Sequence, residues 1–347
     1  MTSPNNTVFL SDIKEKTLAQ WLPNEASNIG LSLNFDEQQK SFELFTRADN
    51  VNNEAQTQSS QSVELVVFSD LQLEDFSALL SQCQIKHLIL HAINERNGAT
   101  SYRFLVKIND LKAMRAQLVS YIADKPMEAT LICNAPKLAE PGLLVMDMDS
   151  TTIKIECIDE IAVLAGVGEE VAAVTELAMQ GQLDFSQSLH QRVEKLNGSS
   201  EDILARVAKN IPLMEGLETL VVALKKHQWR VAIASGGFTY FADHLKNMLE
   251  LDAAFANVLE IKNKTLTGKV LGQVIDAQAK ADCLIELQQQ YSIAPSQTVA
   301  MGDGANDLVM MAAAHLGIAY HAKPIVLAQA DSCITGSGLD CMLHWLA

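Results

Sequence analysis

The sequence predicts an α/β protein in two parts: a Rossmann-like parallel sheet in the C-terminal portion and a smaller ferredoxin-like α+β domain before it. Three observations carry this. From about residue 142 onwards, continuously apolar strand patterns alternate with helical ones, as in sheets covered on both faces. A β-α-β-β-α-β order of patterns runs over residues 63–134. Between the two, "NAPKLAEPG", residues 134–142, carries two prolines and a glycine and reads as a connection. The expected division is therefore 1–135, a linker 136–142, and 143–347.

In the first part, "LSLNF" and "SFELF" within residues 1–47 have strand-like composition, but pattern alone does not place them. Residues 48–62, "ADNVNNEAQTQSSQS", are polar and aperiodic, which predicts a loop. Order resumes at Val63: "VELVVFSD" reads as a strand, "LEDFSALLSQCQ" as a helix, "KHLILHAI" and "SYRFLVKI" as strands. "LKAMRAQLVSYIADK" follows as a helix and "MEATLICN" as a last strand. This order matches the ferredoxin-like split unit, which also occurs as the ligand-sensing ACT domain. Fold alone does not imply sensing, and a packing or dimerisation module is the plainer reading.

In the second part, "GLLVMD", "RVAIAS", "TVAMGD", "LGIAYH" and "DSCIT" read as successive strands, most separated by helical patterns. In such sheets ligands bind beyond the carboxyl ends of the strands. Three of these strands end in chemistry: Asp147 and Asp149; Ser235 with Gly236 and Gly237; Asp303 with Asp307.

Composition narrows the function. The 347 residues are 48% hydrophobic and 20% charged, enough for a sizeable core. A formal net charge of −16 gives no basic footprint for nucleic acid or an anionic membrane. No apolar run has the length of a membrane span, and the N-terminus lacks a basic stretch followed by an apolar one. The expectation is a cytoplasmic chain. Its six cysteines are scattered, without zinc spacing, and read as reduced thiols.

Four carboxylates gathered at one sheet edge, Asp147, Asp149, Asp303 and Asp307, require a cation. All-oxygen ligands with no soft partner select Mg2+ over zinc. An EF-hand loop from Asp147 is a poor rival, because Thr152 stands where glycine is expected and Ile158 where glutamate is expected. Taken singly, each remaining signal has a plainer reading. D-x-D can be an acidic turn, "GDGANDL" a helix cap, "ASGGF" a turn, and Lys280 a solvated surface lysine. "ASGGF" can equally offer a hydroxyl and free amides to a phosphate oxygen.

Their order is more specific. D-x-D-[ST]-T, S-G-G, a lysine and G-D-G-x-N-D, each at its place in an alternating α/β region, resemble the haloacid dehalogenase superfamily of phosphotransferases over about residues 140–347. Within it, "DMDSTTIKIECIDEIA", "AMQGQLDFSQSLHQRV", "ASGGF" and "GDGANDL" are most similar to the phosphoserine phosphatase family, of which long bacterial forms carry an additional N-terminal domain. The resemblance implies Mg2+-dependent hydrolysis of O-phospho-L-serine through an aspartyl phosphate, the last step of serine biosynthesis. It implies Asp147 as nucleophile and Asp149 as general acid and base. Mg2+ would be held by the Asp147 carboxylate, the Asp149 backbone carbonyl and Asp303, with Asp307 supporting through water. Ser235, the Gly236 amide and Lys280 would bind the phosphoryl oxygens, with Asn306 orienting that network.

The resemblance also implies a helical cap over about 156–212. In "LDFSQSLHQRVEKL", Phe185, Leu189, Val193 and Leu196 recur at helical spacing. Arg192 follows Phe185 by seven residues, nearly on the same face; a surface ion pair with a glutamate is its plainer reading. By the family match Arg192 grips the substrate carboxylate, Glu156 the ammonium, and Met179 and Phe185 close an apolar wall. A phosphatase or phosphomutase for another small phosphate ester, or a catalytically inert amino-acid sensor, remain alternatives. A P-type ATPase is excluded by the lack of spans.

Overall fold

The computed structural model describes residues 7–22, 25–45 and 63–347. The stretch 48–62 expected as a loop lies outside the described residues. The chain packs as two compact units, one of Met1–Ala135 with Leu327–Ala347, the other of Pro136–Val326.

The first unit is built on strands β1 (Thr7–Phe9), β2 (Ser32–Asp36), β3 (Ser41–Phe45), β4 (Val63–Phe68), β5 (His87–Arg96), β6 (Ala99–Val106) and β7 (Ala129–Cys133). They form one antiparallel sheet in the order β1-β3-β2-β5-β6-β4-β7. The β-α-β-β-α-β part matches the sequence expectation, with helices Leu73–Gln82 and Leu111–Ile122 as its connections. "LSLNF" and "SFELF", which pattern could not place, become β2 and β3 and extend the sheet beyond β5. Hairpin β5–β6 turns on Asn97 and Gly98, both at positive φ (49° and 75°), the backbone a type I′ turn demands.

β4 is buried from Val63 to Val67 although it includes Glu64, and β6 buries Arg103. Arg103 donates to both Glu64 carboxylate oxygens, at 2.6 and 3.3 Å, and to the carbonyls of His344 (3.0 Å) and Leu346 (2.8 Å). A buried ion pair is tolerated when its remaining hydrogen-bonding capacity is met, and the C-terminal segment meets it. The structure thus differs from the expected boundary of 143–347, since Leu327–Ala347 groups with the first unit.

The second unit holds strands β8 (Leu143–Met146), β9 (Arg230–Phe238), β10 (Ala253–Lys262), β11 (Thr265–Leu271), β12 (Thr298–Gly302) and β13 (Leu316–Tyr320). Their order is β11-β10-β9-β8-β12-β13. All pairs are parallel except the β10–β11 hairpin. β8 is wholly buried and lies between β9 and β12, so the order reverses there, and a crevice opens beyond its carboxyl end. Helices Cys157–Ala165, Gly168–Met179, Phe185–Lys195 and Asp202–Ala208 occupy the stretch between β8 and β9, where a cap was expected.

The stretch 136–142, expected as a linker, is fixed onto this unit. The Gln297 side chain accepts from the Lys137 amide (2.7 Å) and donates to the carbonyls of Lys137 (3.0 Å) and Glu140 (3.2 Å). Gly142 lies flat against the buried Trp229 ring, where a Cβ would come within 2.5 Å.

Candidate active site

β8 delivers Asp147 to the crevice while still in register, its amide donating to the Met301 carbonyl of β12 at 2.9 Å. The chain then folds back on itself. Ser150 takes φ +58°, and the amides of Thr152 and Ile153 both return to the Met148 carbonyl, at 2.8 and 3.0 Å. Short hydroxyl side chains suit such a turn because they bond locally. Thr152 Oγ1 donates to the Asp147 carbonyl, Thr151 Oγ1 to Asp303 Oδ1 (3.1 Å), and Ser150 Oγ to Glu156 Oε1 (2.8 Å). Thr151 and Thr152 thereby join the site.

Helix Ala277–Gln290 starts at Asp276, whose side chain accepts from the Ala279 amide at 2.9 Å, a regular N-cap. One turn later Lys280 is fully buried. Its Nζ lies 2.7 Å from Asp147 Oδ1 and 2.7 Å from Asp307 Oδ1. Burial works against the ammonium, yet the two carboxylates outweigh it and hold the Lys280 pKa above its ordinary value. Burial and the facing Asp307 raise the Asp147 pKa, with Lys280 opposing. Asp307 accepts through its other oxygen from the Gly304 amide at 3.0 Å.

At the end of β9, Ser235, Gly236 and Gly237 line the same cavity. The Gly237 amide donates to Ser235 Oγ at 2.9 Å. Neither glycine tolerates a side chain: a Cβ at Gly236 would sit 2.5 Å from the Phe185 ring, and one at Gly237 would sit 2.7 Å from Asp149 Oδ2. Bare backbone here lets amides approach a ligand closely.

Asp149 accepts from the Cys157 amide at 3.0 Å. Loss of solvation, followed by the nearby Glu156, pushes its pKa up to about 7 against that bond. A carboxyl that titrates near neutrality can both give and take a proton. Asp303 is raised to about 6 by loss of solvation and by Asp307.

The cavity has a volume of about 250 Å³. It brings together Asp147, Asp149, Glu156, Phe185, Arg192, Ser235, Gly236, Asp303 and Asn306 from the expected set. Phe185, Leu189 and Arg192 come from one face of a helix begun by an Asp184–Gln187 capping box. Arg192 Nε is buried and has no hydrogen-bond partner among the described residues. Ile158, Leu189 and Phe238 complete the apolar lining. Of these, Leu189 is legible in the sequence only as apolar periodicity, which does not distinguish a cavity wall from core. Met179 is a correction. It ends helix Gly168–Met179, is 68% exposed, and does not line the cavity.

Carboxylate oxygens of Asp147, Asp303 and Asp307 lie within 4.8 Å of one another. This all-oxygen set fits a hard divalent cation. Asp307 has one oxygen on Lys280 and the other on the Gly304 amide, which suits it to outer support. The Asp149 side chain stands outside the set.

A model of the haloacid dehalogenase-like hydrolases matches residues 142–315. Phosphoserine phosphatase of Vibrio cholerae is 61% identical over 208 residues, 60% of this chain and 63% of that protein, so this match spans less than two thirds of the relative. Phosphoserine phosphatase of Haemophilus influenzae is 51% identical over 232 residues, 67% of this chain and 74% of that one. The unliganded crystal structure of a probable phosphoserine phosphatase from Vibrio cholerae aligns with TM-score 0.70 at 42% identity, covering 92% of this chain and 95% of that one.

Proposed function

The chain belongs to the haloacid dehalogenase-like hydrolase family, and from that membership we propose that it is a phosphoserine phosphatase, hydrolysing O-phospho-L-serine to L-serine and phosphate. The observation that carries the substrate is the orphaned Arg192 Nε at the wall of a small cavity. A buried guanidinium donor without a partner is costly, and a ligand carboxylate would satisfy it with a charge-assisted bond. Glu156 lines the same cavity and is suited to the substrate ammonium. A cavity of about 250 Å³ with one anion, one cation and an apolar wall of Phe185, Ile158 and Leu189 suits a small zwitterion better than a sugar or nucleotide.

In this reading Asp147 attacks phosphorus and becomes the aspartyl phosphate, while Asp149 protonates the departing serine oxygen. Asp149 then takes a proton from the water that hydrolyses the acyl phosphate. Lys280, Ser235 and the Gly236 amide balance charge on the phosphoryl oxygens, with Asn306 orienting that network. Asp147, the Asp149 carbonyl and Asp303, with Asp307 behind them, would hold Mg2+, which would supply further charge neutralisation when bound. The reaction is the last step of serine biosynthesis and belongs in the cytoplasm. Among the described residues no helix is long and apolar enough to cross a membrane. The first unit is read as an ACT-like module open to ligand sensing or to homodimerisation.

The test is inorganic phosphate release from L-phosphoserine, phosphothreonine, phosphoethanolamine and glucose 6-phosphate, with Mg2+ and with a chelator. Selective, Mg2+-dependent release from L-phosphoserine is expected. Preference for another ester would overturn the substrate, and no release at all would favour an inert sensor.

A further inference from the structure

We propose that Asn257 is a positioning residue for the phosphate cradle, its carboxamide clamping the Gly236–Gly237 peptide so that Ser235 and the Gly236 amide present their donors to a phosphoryl group. The inference rests on the phosphatase reading above. Asn257 lies on β10, 1% exposed, and does not line the cavity. Asparagine is disfavoured in strands, and a buried one must find partners for both ends of its amide. The β9–β10 register shifts between Phe255 and Asn257, which brings Asn257 level with Phe238.

From there Nδ2 donates to the Gly236 carbonyl at 2.8 Å, and Oδ1 accepts from the Ile275 amide at 2.9 Å. The same Gly236–Gly237 peptide is held at its other end, where its N–H donates to Ser235 Oγ at 2.9 Å. With both ends fixed, this peptide cannot flip. Because Ser235 Oγ already accepts a bond, its own proton is left to donate into the cavity. Ile275 immediately precedes Asp276, the N-cap of the helix that carries Lys280. One carboxamide therefore ties together the two segments that supply the phosphoryl ligands, and it needs a donor and an acceptor on one planar group to do so.

The experiment uses the full chain with Mg2+ and compares wild type with Asn257→Asp, which keeps the acceptor and loses the donor, and Asn257→Thr, which suits a strand and spans neither contact. Inorganic phosphate affinity is read by calorimetry, alongside kcat on L-phosphoserine and the inhibition constant of L-serine. Both variants are expected to bind phosphate roughly 10- to 100-fold more weakly and to lose kcat by a similar factor. L-serine, held by Glu156 and Arg192, should keep its inhibition constant within about 2-fold. A folded variant with lowered activity but unchanged phosphate affinity would overturn the proposal, as would failure of both variants to fold, because either outcome makes Asn257 merely structural. Phosphate binding needs no turnover. Wild type that binds phosphate but leaves phosphoserine intact would refute the substrate while the clamp is still tested.

Discussion

Lys280 and Asp307 meet at 2.7 Å where solvent does not reach, and the same ammonium holds Asp147 at 2.7 Å on its other side. Asp307 thus fixes the cation that steadies Asp147, the proposed nucleophile. Replacing Lys280 by Met leaves two buried carboxylates facing each other. The expected loss is about 3–5 kcal/mol of stability and at least about 100-fold in kcat. Asp147→Asn keeps the lysine bond through its amide oxygen, so turnover should vanish with circular dichroism and melting temperature nearly unchanged. Substantial activity in that variant would remove Asp147 as the nucleophile.

Arg192 gives a prediction about selectivity. In the proposed reading its Nε, buried without a partner among the described residues, donates to the substrate carboxylate, and a hydrogen bond to a charged group is worth about 1.5–3 kcal/mol. Arg192→Ala should therefore lower kcat/KM for phosphoserine by about 10- to 150-fold. Phosphoethanolamine, which has no carboxylate, should change by less than about 3-fold. Equal losses on both esters would sink the assignment.

Much of this site could be read from the sequence because its parts sit where periodicity breaks into chemistry. The apolar run 143–146 stops at Asp147, the apolar run 231–234 inside β9 gives way to Ser235, and β12 stops just before Asp303. The β10–β11 hairpin went unread: its strands are half-exposed, and its turn uses Asn263 and Lys264 at positive φ instead of a glycine. Met179 was carried over by motif position, but its place at a helix end turns it to solvent. Residues 327–347 group with the first unit, where distant residues such as the buried Arg103, together with Arg96 and Glu128, bond to them. No local pattern encodes such a partnership.

The cluster of Asp147, Asp303 and Asp307 predicts a metal-linked stability. Binding to the folded state alone stabilises by about 2.7 kcal/mol at a hundredfold excess over Kd. Mg2+ should then raise the melting temperature by about 5–10 °C over the chelated protein. Asp303→Asn removes one carboxylate whose pKa burial, and then the Asp307 charge, have already pushed up to about 6. That variant should melt higher than wild type in chelator, yet gain little from Mg2+ and release no phosphate. An undiminished Mg2+ shift in Asp303→Asn would place the ion elsewhere.

His344 predicts how the first unit responds to acid. The ring is buried between Ser101, whose hydroxyl lies 2.9 Å from Nδ1, and the Arg96 carbonyl, 3.1 Å from Nε2. Burial, and then the Arg96 charge, lower its pKa from 6.5 to about 4, with the Arg96 carbonyl opposing and Arg103 adding to the depression. The folded pKa is therefore below the unfolded one. Above about pH 6.5 the ring is neutral in both states, and its contribution is fully present. As pH falls from there to about 4 the unfolded chain takes the proton first, and up to roughly 3 kcal/mol is lost. His344→Gln keeps an amide donor and acceptor but cannot titrate. The difference in unfolding free energy between wild type and this variant, followed by denaturant melts, should fall with acidification between pH 6.5 and 4 and level off below. A constant difference across that window would mean that the ring is already protonated in the fold, or that solvent reaches it.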